Sequence, residues 1–409
     1  MKWRHGVTTV AGDDDAIDPM KVLFLTHSFP RHDGDVAGNF VLRLASALGR
    51  EGVDVRVVAP ATAGAADSAQ LNGTGVERFH YAPRRYETLA YAGNMAEQVR
   101  DSWSARFTML GFLGAEFRSA VRARREMQPD LVHAHWWFPS GLVGTWLARL
   151  SHTPLVTTLH GSDVRMARSV AMSRPAFRHV LQNSAAITAV SKWLAHEAQS
   201  LVSSPAAVVA PMPVATELFT TAGDTARKPT ALLFVGRLTK QKGVDLLLRS
   251  VSKLPREVTL DVVGDGDERA SLERLTGELN LRDRVRFHGT QGQRELVSFY
   301  RTAAALVVPS ADEGLGLVAV EAMLCETPVV AFESGGIPDV VQHERTGLLV
   351  TERSPDALAA AIERLLERDD RGAALGAAGR LHAVSTFAPE SVARRYLDIY
   401  RTAIATAPT

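Results

Sequence analysis

Short continuous apolar runs alternate with helix-like segments along this chain, and that alternation constrains its fold more than any other feature. The runs include KVLFLTHSF at 21–29, PLVTTLH at 154–160 and ALLFVGRL at 231–238. Helical spacing follows such runs, as in NFVLRLASALGREG, and Ser191 is a residue type that caps helices at their start. Continuous apolar strands are typical of parallel sheets covered on both faces. The pattern therefore predicts βαβ units and an α/β fold.

The alternation occurs in two series, separated by a different kind of sequence. Residues 211–229 contain three prolines and small polar residues. A length of 409 residues also suggests about two domains. We predict two doubly wound Rossmann-like domains, residues 20–215 and 230–388, joined by a linker at 216–229. Ligands of such sheets bind outside the carboxyl ends of the strands, so two facing halves would form a binding cleft.

The two ends of the chain differ from these halves. Residues 1–19 are polar and without periodicity, and we predict a disordered extension. Its three aspartates, Asp13–Asp15, are better explained as solvated tail than as a metal site. Near the other end, PESVARRYLDIYRTAI is amphipathic. We expect residues 389–409 to form a helix that packs back toward the first domain.

Composition excludes several classes of function. The formal net charge is +1 and like charges form no long block, which argues against a nucleic-acid partner. Cys325 is the only cysteine, so no disulfide can form within the chain. No apolar run approaches the roughly 18 residues that span a bilayer, and the first residues do not resemble a secretory signal. We expect a cytoplasmic protein of unknown oligomeric state.

One segment leaves a peripheral membrane contact open. Residues 100–126 combine aromatic side chains, among them Trp103 and Phe107, with six arginines. This composition suits a basic helix at the inner face of a membrane. A helix packed on the first domain, with a solvated basic side, explains it at least as well and is the interpretation we favour.

A basic pair follows the first strand of the second half. Arg237 comes directly after ALLFVG, and Lys242 precedes a glycine and the next helix. Helix N-termini attract anions, arginine offers a bidentate fork for phosphate oxygens, and lysine offers a mobile charge. Either residue alone would be most simply a solvated loop charge. Both together at the carboxyl end of a strand predict a phosphate site.

Two glutamates separated by seven residues lie in PSADEGLGLVAVEAM. Glu313 lies just before a predicted helix that begins near Gly316, and Glu321 lies inside it. Carboxylates accept hydrogen bonds from hydroxyls, and the glycines leave backbone amides open to a ligand. The pair could instead act as the acid and base of a glycosidase. Taken singly, Glu321 could be a satisfied helix residue and Glu313 a first-turn acid.

These motifs together resemble a known family. The chain resembles the retaining glycosyltransferases of family four, also called group 1. The motifs that carry the resemblance are a strand followed by GRL, then KG three residues later, the two-glutamate motif, GGIPDVV and TGLLV. The resemblance extends from about Met20 to the last helices. It implies the GT-B fold and transfer of a hexose-type sugar from a nucleoside diphosphate, of UDP or GDP type, to a hydroxyl. The acceptor would be a polysaccharide, glycolipid or small metabolite, and no metal or cofactor would be needed.

The resemblance also implies roles in holding the donor. Arg237 and Lys242 would hold the diphosphate, Glu321 the ribose hydroxyls, and Glu313 the sugar hydroxyls. The backbone at Gly316, Leu317, Val318 and Gly38 would lie close to the phosphates and the sugar.

On the N-terminal side, His160 would act near the reacting sugar, so that His160, Glu313, Arg237 and Lys242 form the catalytic set. His135 and Asp163 would lie on the acceptor side. Two other functions stay open, a nucleotide-sugar epimerase of the same fold and a non-catalytic protein that binds nucleotide sugars.

Overall fold

The structure, a computed structural model, describes residues 18–91, 95–223, 226–370 and 372–407. The predicted disordered extension at 1–19 lies outside these ranges, apart from its last two residues. No helix within the described ranges is long and apolar enough to cross a bilayer.

The first half forms one sheet with helices on both faces. Its strands are β1 (Lys21–Leu25), β2 (Asp54–Pro60), β3 (Ser68–Leu71), β4 (Thr74–Phe79), β5 (Leu131–His135), β6 (Leu155–Leu159), β7 (Ala186–Ala189) and β8 (Val208–Val209). Its helices are α1 (Asn39–Arg50), α2 (Met95–Asp101), α3 (Trp103–Met127), α4 (Leu142–Ser151), α5 (Ser162–Ser169), α6 (Arg174–Gln182) and α7 (Lys192–Leu201). The strand order is β3-β4-β2-β1-β5-β6-β7-β8. Every neighbouring pair is parallel except β3 with β4.

The second half is a parallel sheet of the same kind. Its strands are β9 (Ala231–Val235), β10 (Thr259–Val263), β11 (Val285–Gly289), β12 (Ala305–Val308), β13 (Val329–Phe332) and β14 (Gly347–Val350). Its helices are α8 (Val244–Val251), α9 (Arg269–Glu278), α10 (Gln293–Thr302), α11 (Leu317–Leu324), α12 (Ile337–Val340), α13 (Pro355–Leu366) and α14 (Ala373–Phe387), and α15 (Pro389–Ala405) ends the chain. The order is β11-β10-β9-β12-β13-β14. The α/β class with two Rossmann-like domains is confirmed.

Each sheet has a point where the order of its strands reverses. In the first sheet it lies between β1 and β5, where Phe24 is in register with His133. In the second it lies between β9 and β12, where Leu232 pairs with Ala305. Connections leave such a pair of strands in opposite directions, which opens a crevice at their carboxyl ends. The Arg237 and Glu313 motifs follow β9 and β12, so both lie at this crevice.

The last helix returns to the first domain. α15 begins at Pro389 and packs against α1. Its Tyr400 hydroxyl lies 2.7 Å from Nδ1 of His133 on β5, and both side chains are fully buried. The hydrophobic core that contains Tyr400 also contains side chains from the second sheet, so the two halves share buried surface.

The two chain crossings between the halves lie side by side. The backbone N–H of Val214 donates to the carbonyl of Phe387 at 3.0 Å, just before α15 begins. The first part of the predicted linker is docked rather than free. Phe219 is fully buried against the ring of Tyr300, and Arg301 donates to the carbonyl of Thr220 at 2.6 Å.

A carboxyl group is buried inside the first domain. Glu116 lies on the core face of α3 and is 0% exposed, with the buried Ser140 hydroxyl beside it. Burial disfavours the charged form and raises the pKa of Glu116 to about 8 from its ordinary 4.5. The folded protein therefore holds a proton on Glu116 at neutral pH, whereas the unfolded chain releases it.

This burial predicts a pH-dependent gain in stability for Glu116→Gln. A carboxyl group whose pKa is raised by folding contributes fully to the free energy of unfolding below pH 4.5, and this contribution is lost as pH rises toward 8. Wild type should lose up to about 1.4 kcal/mol of unfolding free energy per pH unit in this window relative to the neutral variant. Denaturant titrations at several pH values measure the difference, with the exposed Glu126→Gln on the same helix as the control. Parallel curves for Glu116→Gln and wild type would contradict the assignment.

Candidate active site between the two sheets

The carboxyl-end edges of the two sheets face one another and are in contact. Hydrogen bonds of 2.5–2.9 Å join helices and loops of the first domain to helices and loops of the second. They connect Ser191 Oγ to the Gly314 carbonyl, the Lys192 N–H to Asp339, Asn39 and Arg43 to Gln293, and Arg168 to Asp312. The structure thus shows the cleft closed.

The closest approach of the two backbones occurs between two short glycine-containing segments. A Cβ atom on Gly314 would lie 2.6 Å from the carbonyl oxygen of His160, and one on Gly161 would lie 3.1 Å from the Gly314 Cα. Gly161 also has φ of +113°, a value that side chains rarely allow. Closure to this distance therefore requires glycine at these positions.

An ion pair lies on the second domain's side of the contact. Nζ of Lys242 lies 2.6 Å from Oε2 of Glu313, and the two side chains are only 19% and 17% exposed. Lys242 ends a 3-10 turn after β9, and Glu313 follows β12. The two residues that the sequence singled out in separate motifs are thus brought together by adjacent strands.

Further positive charge converges on this pair. Arg237 is exposed and borders a cavity beside Ser162 and Asp163. Arg165, from α5 of the first domain, donates to the amide oxygen of Gln241. Burial lowers the pKa of Arg165, which lies near the Glu313 carboxylate and the Arg237 guanidinium. Lys242 and Arg165 therefore bring positive charge from both domains to the Glu313 carboxylate, and the Asp312 carboxylate also lies near Arg165.

Helix α11 begins at the same edge. Gly316 precedes it with φ of +90°, and a Cβ there would lie 2.5 Å from Cδ1 of Ile337. No described side chain caps this helix. The amides of Leu317 and Val318 belong to its first turn, whose N–H groups have no partner within the helix. This helix start can hold an anion.

Glu321 has a different environment from Glu313. It is 8% exposed, and its Oε2 accepts a hydrogen bond from the buried Tyr300 hydroxyl at 2.8 Å. Burial raises the pKa of Glu321 to about 7, while Tyr300 and the charge of Arg43 act in the opposite direction. Arg43 comes from α1, so this carboxyl also lies near the domain boundary.

His160 rests on a stack of neutral rings. Its Nε2 lies 3.1 Å from Nδ1 of His135, and the Trp136 ring centre lies 4.3 Å from its own. His133 packs on His135 at 4.2 Å. Burial lowers the pKa of all three histidines well below 6.5, so they are uncharged at neutral pH. The backbone carbonyl of His160 packs against Gly314, which places this histidine at the domain contact.

The acceptor-side contact predicted for His135 does not fit its burial, whereas Asp163 lies on the wall of the cavity that Arg237 borders. His135 is 0% exposed and supports His160 from beneath. Asp163 is 3% exposed, and its carboxylate accepts from the backbone N–H groups of His160, Gly161 and Trp137 at 2.9–3.2 Å. Both residues hold the His160 loop in place, because their polar atoms are turned toward that loop.

Gly38 brings another loop against the end of β1. It has φ of +67° immediately before α1, and a Cβ there would lie 2.3 Å from the carbonyl oxygen of Ser28. Only glycine allows this approach. The contact with a diphosphate that was expected for Gly38 stays a prediction.

Comparison with known proteins agrees with this architecture. The family model described as "Glycosyltransferase Family 4" matches residues 37–218, and that of "Glycosyl transferases group 1" matches residues 221–382. D-inositol 3-phosphate glycosyltransferase of Xylanimonas cellulosilytica is 31% identical, over 93% of this chain and 96% of its own. The chain belongs to the family 4, group 1 glycosyltransferases. The corresponding enzyme of Kineococcus radiotolerans is 33% identical over 91% of this glycosyltransferase and 92% of its own length.

Solved structures resemble the whole glycosyltransferase. Sucrose-phosphate synthase from Thermosynechococcus elongatus superposes with a TM-score of 0.78 at 26% identity, covering 94% of this chain and 99% of the other. HepE from Anabaena in complex with UDP-glucose superposes with a TM-score of 0.72 at 21% identity, covering 94% and 100%. The GT-B fold is therefore confirmed.

Several residues of this site were not predicted from the sequence. They are Arg43, Arg165, Gln241 and Tyr300. Arg165 carried a usable signal, because it lies on the helix that follows β6, and such helices begin at the carboxyl edge of the sheet. The others carried none, because each acts through a partner far away in the chain.

Proposed function

We propose that this glycosyltransferase transfers a hexose-type sugar from a nucleoside diphosphate sugar to a hydroxyl, with retention of the anomeric configuration. The observation that carries the proposal is the Lys242–Glu313 pair at 2.6 Å, which lies at the domain contact near Arg165 and the start of α11. UDP is the first nucleotide to test, since HepE was solved with UDP-glucose. Roles of individual residues follow from their chemistry.

Positive charge at the crevice would favour departure of the diphosphate. Negative charge builds on the leaving group as the glycosidic bond stretches, and fixed cations and helix amides aimed at it stabilise the transition state. Arg237, Lys242 and the backbone amides of Leu317 and Val318 would take this role. Arg165 would complete the pocket when the domains close.

The ion pair would exchange partners when the donor binds. A phosphate oxygen would take the place of Glu313 on the Lys242 ammonium, and the released carboxylate would accept hydrogen bonds from sugar hydroxyls. His160, uncharged and next to the contact, would polarise or position the sugar. Glu321 would accept from the ribose hydroxyls, with Tyr300 holding its second oxygen.

A ligand panel followed by product analysis tests the proposal. UDP and UDP-glucose, compared with GDP and ADP forms, should raise the melting temperature if they bind the folded state. Donor incubated with a hydroxyl acceptor should release the nucleoside diphosphate. Formation of a new sugar isomer from the donor alone would indicate an epimerase, and binding without nucleotide release would indicate a non-catalytic protein.

Replacing Arg165 by alanine should weaken donor capture from the first domain's side. A hydrogen bond to a charged group contributes about 1.5–3 kcal/mol, so kcat/KM for the donor should fall about 10–100-fold. Initial rates at varied donor concentration measure it, with the exposed Arg178→Ala as the control. In a separate test, activity should persist in EDTA, because side-chain cations supply the positive charge that stabilises the departing diphosphate. Unchanged kcat/KM in Arg165→Ala would remove this residue from the site.

A further inference from the structure

A mainly apolar cavity adjoins the proposed catalytic residues. It has a volume of about 500 Å³ and lies within the first domain, with Arg237 of the second domain at its border. Ser162, Asp163 and Arg237 line one part, and the remainder is largely apolar, including Leu89, Met95, Val99, Met109, Phe138 and Met166. An acceptor that carried only hydroxyl and phosphate groups would leave this apolar wall unused.

The helix that bounds the cavity is apolar on its outer face as well. Trp103, Phe107 and Leu110 of α3 are 73%, 71% and 66% exposed. Their spacing of four and three residues puts them on one line along the helix. The core face of the same helix is formed by other residues, such as Met109 and Phe112, so this stripe is additional to what the fold needs.

Arginines flank the outer stripe. Arg100, Arg106, Arg118 and Arg125 are exposed on the same segment, and the Arg106 guanidinium lies over the Trp103 ring at 4.5 Å. Asp101 offsets part of this charge through its pair with Arg100. A second copy of the chain docked here would bring like charges together, whereas an anionic lipid surface complements them.

The cavity and the stripe are connected at one end. Arg106 and Met109 of α3 line the cavity, and Trp103 and Phe107 lie on the neighbouring outer surface. On another wall, Val170 and Ser173 line it, and Met172 between them is 93% exposed. Apolar side chains are thus exposed next to two of its walls, which is the arrangement needed to receive a chain from a bilayer.

We propose that the acceptor is a hydroxyl-bearing membrane lipid, whose hydrocarbon chain enters this cavity while the α3 stripe (Trp103, Phe107 and Leu110) rests in an anionic membrane surface. The proposal rests on the glycosyltransferase function proposed above. The expected packing of α3 on the first domain is confirmed by its buried Met109 and Phe112, and the proposal concerns only the outer face of the helix.

Binding of the protein to lipid vesicles tests the proposed contact between the α3 stripe and an anionic membrane. Wild type should co-sediment with phosphatidylcholine vesicles containing phosphatidylglycerol, and much less with phosphatidylcholine alone or at high salt. The double variant Trp103→Ser, Phe107→Ser should bind at least about 10-fold more weakly, since it removes two interfacial anchors. The matched control is Leu381→Ser, Val384→Ser, which changes two exposed apolar residues on α14 and should bind as wild type does.

Acceptor chain length tests the cavity. With UDP-glucose or the best donor, dodecyl and octyl glucosides should be glycosylated at least about 10-fold more efficiently than ethyl glucoside, which has the same hydroxyls. A UDP-induced rise in melting temperature in the same samples reports the donor site. If that rise is absent with UDP and also with the GDP and ADP forms, the proposed function fails first.

If UDP binds but anionic vesicles do not bind, or the α3 variant binds them as well as wild type does, the membrane assignment is overturned. A change of oligomeric state in the α3 variant, measured by sedimentation velocity, would instead make the stripe a protein interface. Equal efficiency with ethyl and dodecyl glucoside would overturn the lipid acceptor.

Discussion

Replacing Lys242 by alanine is expected to cut turnover about 10²–10³-fold, the scale of losing one group that stabilises transition-state charge. Its ammonium is 2.6 Å from Glu313 at the domain contact, and the side chain is 19% exposed. The variant also leaves the Glu313 carboxylate without this cation, which should disfavour approach of a diphosphate. Steady-state kcat with saturating donor measures the effect.

Two further variants make the Lys242 test specific. Lys240→Ala changes an exposed lysine of the same 3-10 turn and should keep nearly full activity. Lys242→Arg retains the charge in a different shape, so it should recover part of the rate. Melting temperatures near that of wild type in all three would show that the fold is preserved. Near-normal kcat in Lys242→Ala would refute the diphosphate role.

Replacing Gly314 by alanine is expected to reduce kcat/KM about 10²-fold without destabilising either domain. The nearest atoms to the added Cβ all belong to the other domain, with the His160 carbonyl oxygen at 2.6 Å. Closure would therefore stop short by a fraction of an ångström to about an ångström, and misplacement on this scale can cost about 10²-fold. The second domain alone places no atom as close.

The readout for Gly314 separates closure from folding. The melting temperature and UDP binding should stay near wild type, because the site on the second domain remains intact. A glycine whose Cβ would meet nothing within 4 Å, such as Gly49, provides the control as Gly49→Ala. Full activity in Gly314→Ala would show that the domains do not need this contact.

Local sequence patterns predicted most of the regular elements. The runs at 21–29, 154–160 and 231–238 contain β1, β6 and β9, and Ser191 caps α7 by accepting from the Leu194 N–H. These predictions succeed because burial on both faces of a parallel sheet produces a continuous apolar run. The β3–β4 hairpin was missed, although Asn72 and Gly73, both with positive φ, form the dipeptide that favours such turns.

The sequence identified the polar residues of the second domain better than those of the first. Arg237, Lys242, Glu313 and Gly316 lie at one crevice, since all follow strands β9 and β12, which are neighbours. His135 ends β5 and Asp163 lies in the first turn of α5 after β6, so both are at the carboxyl edge of the first sheet, yet both are buried supports for His160. A sequence pattern places a residue at the end of a strand, but neighbouring chains decide whether its side chain reaches the cleft.

The sequence alone determined the α/β class and the division into two halves. It also identified the charged residues and glycines that follow particular strands. These depend on periodicity and on chemistry within a few residues, which a single chain displays directly. The tertiary structure decided which groups meet: Lys242 with Glu313, Arg165 with Gln241, and Gly314 with His160. It also decided which acids are buried enough to keep a proton. Both outcomes depend on contacts between residues far apart in the chain, where burial and distance set the energies.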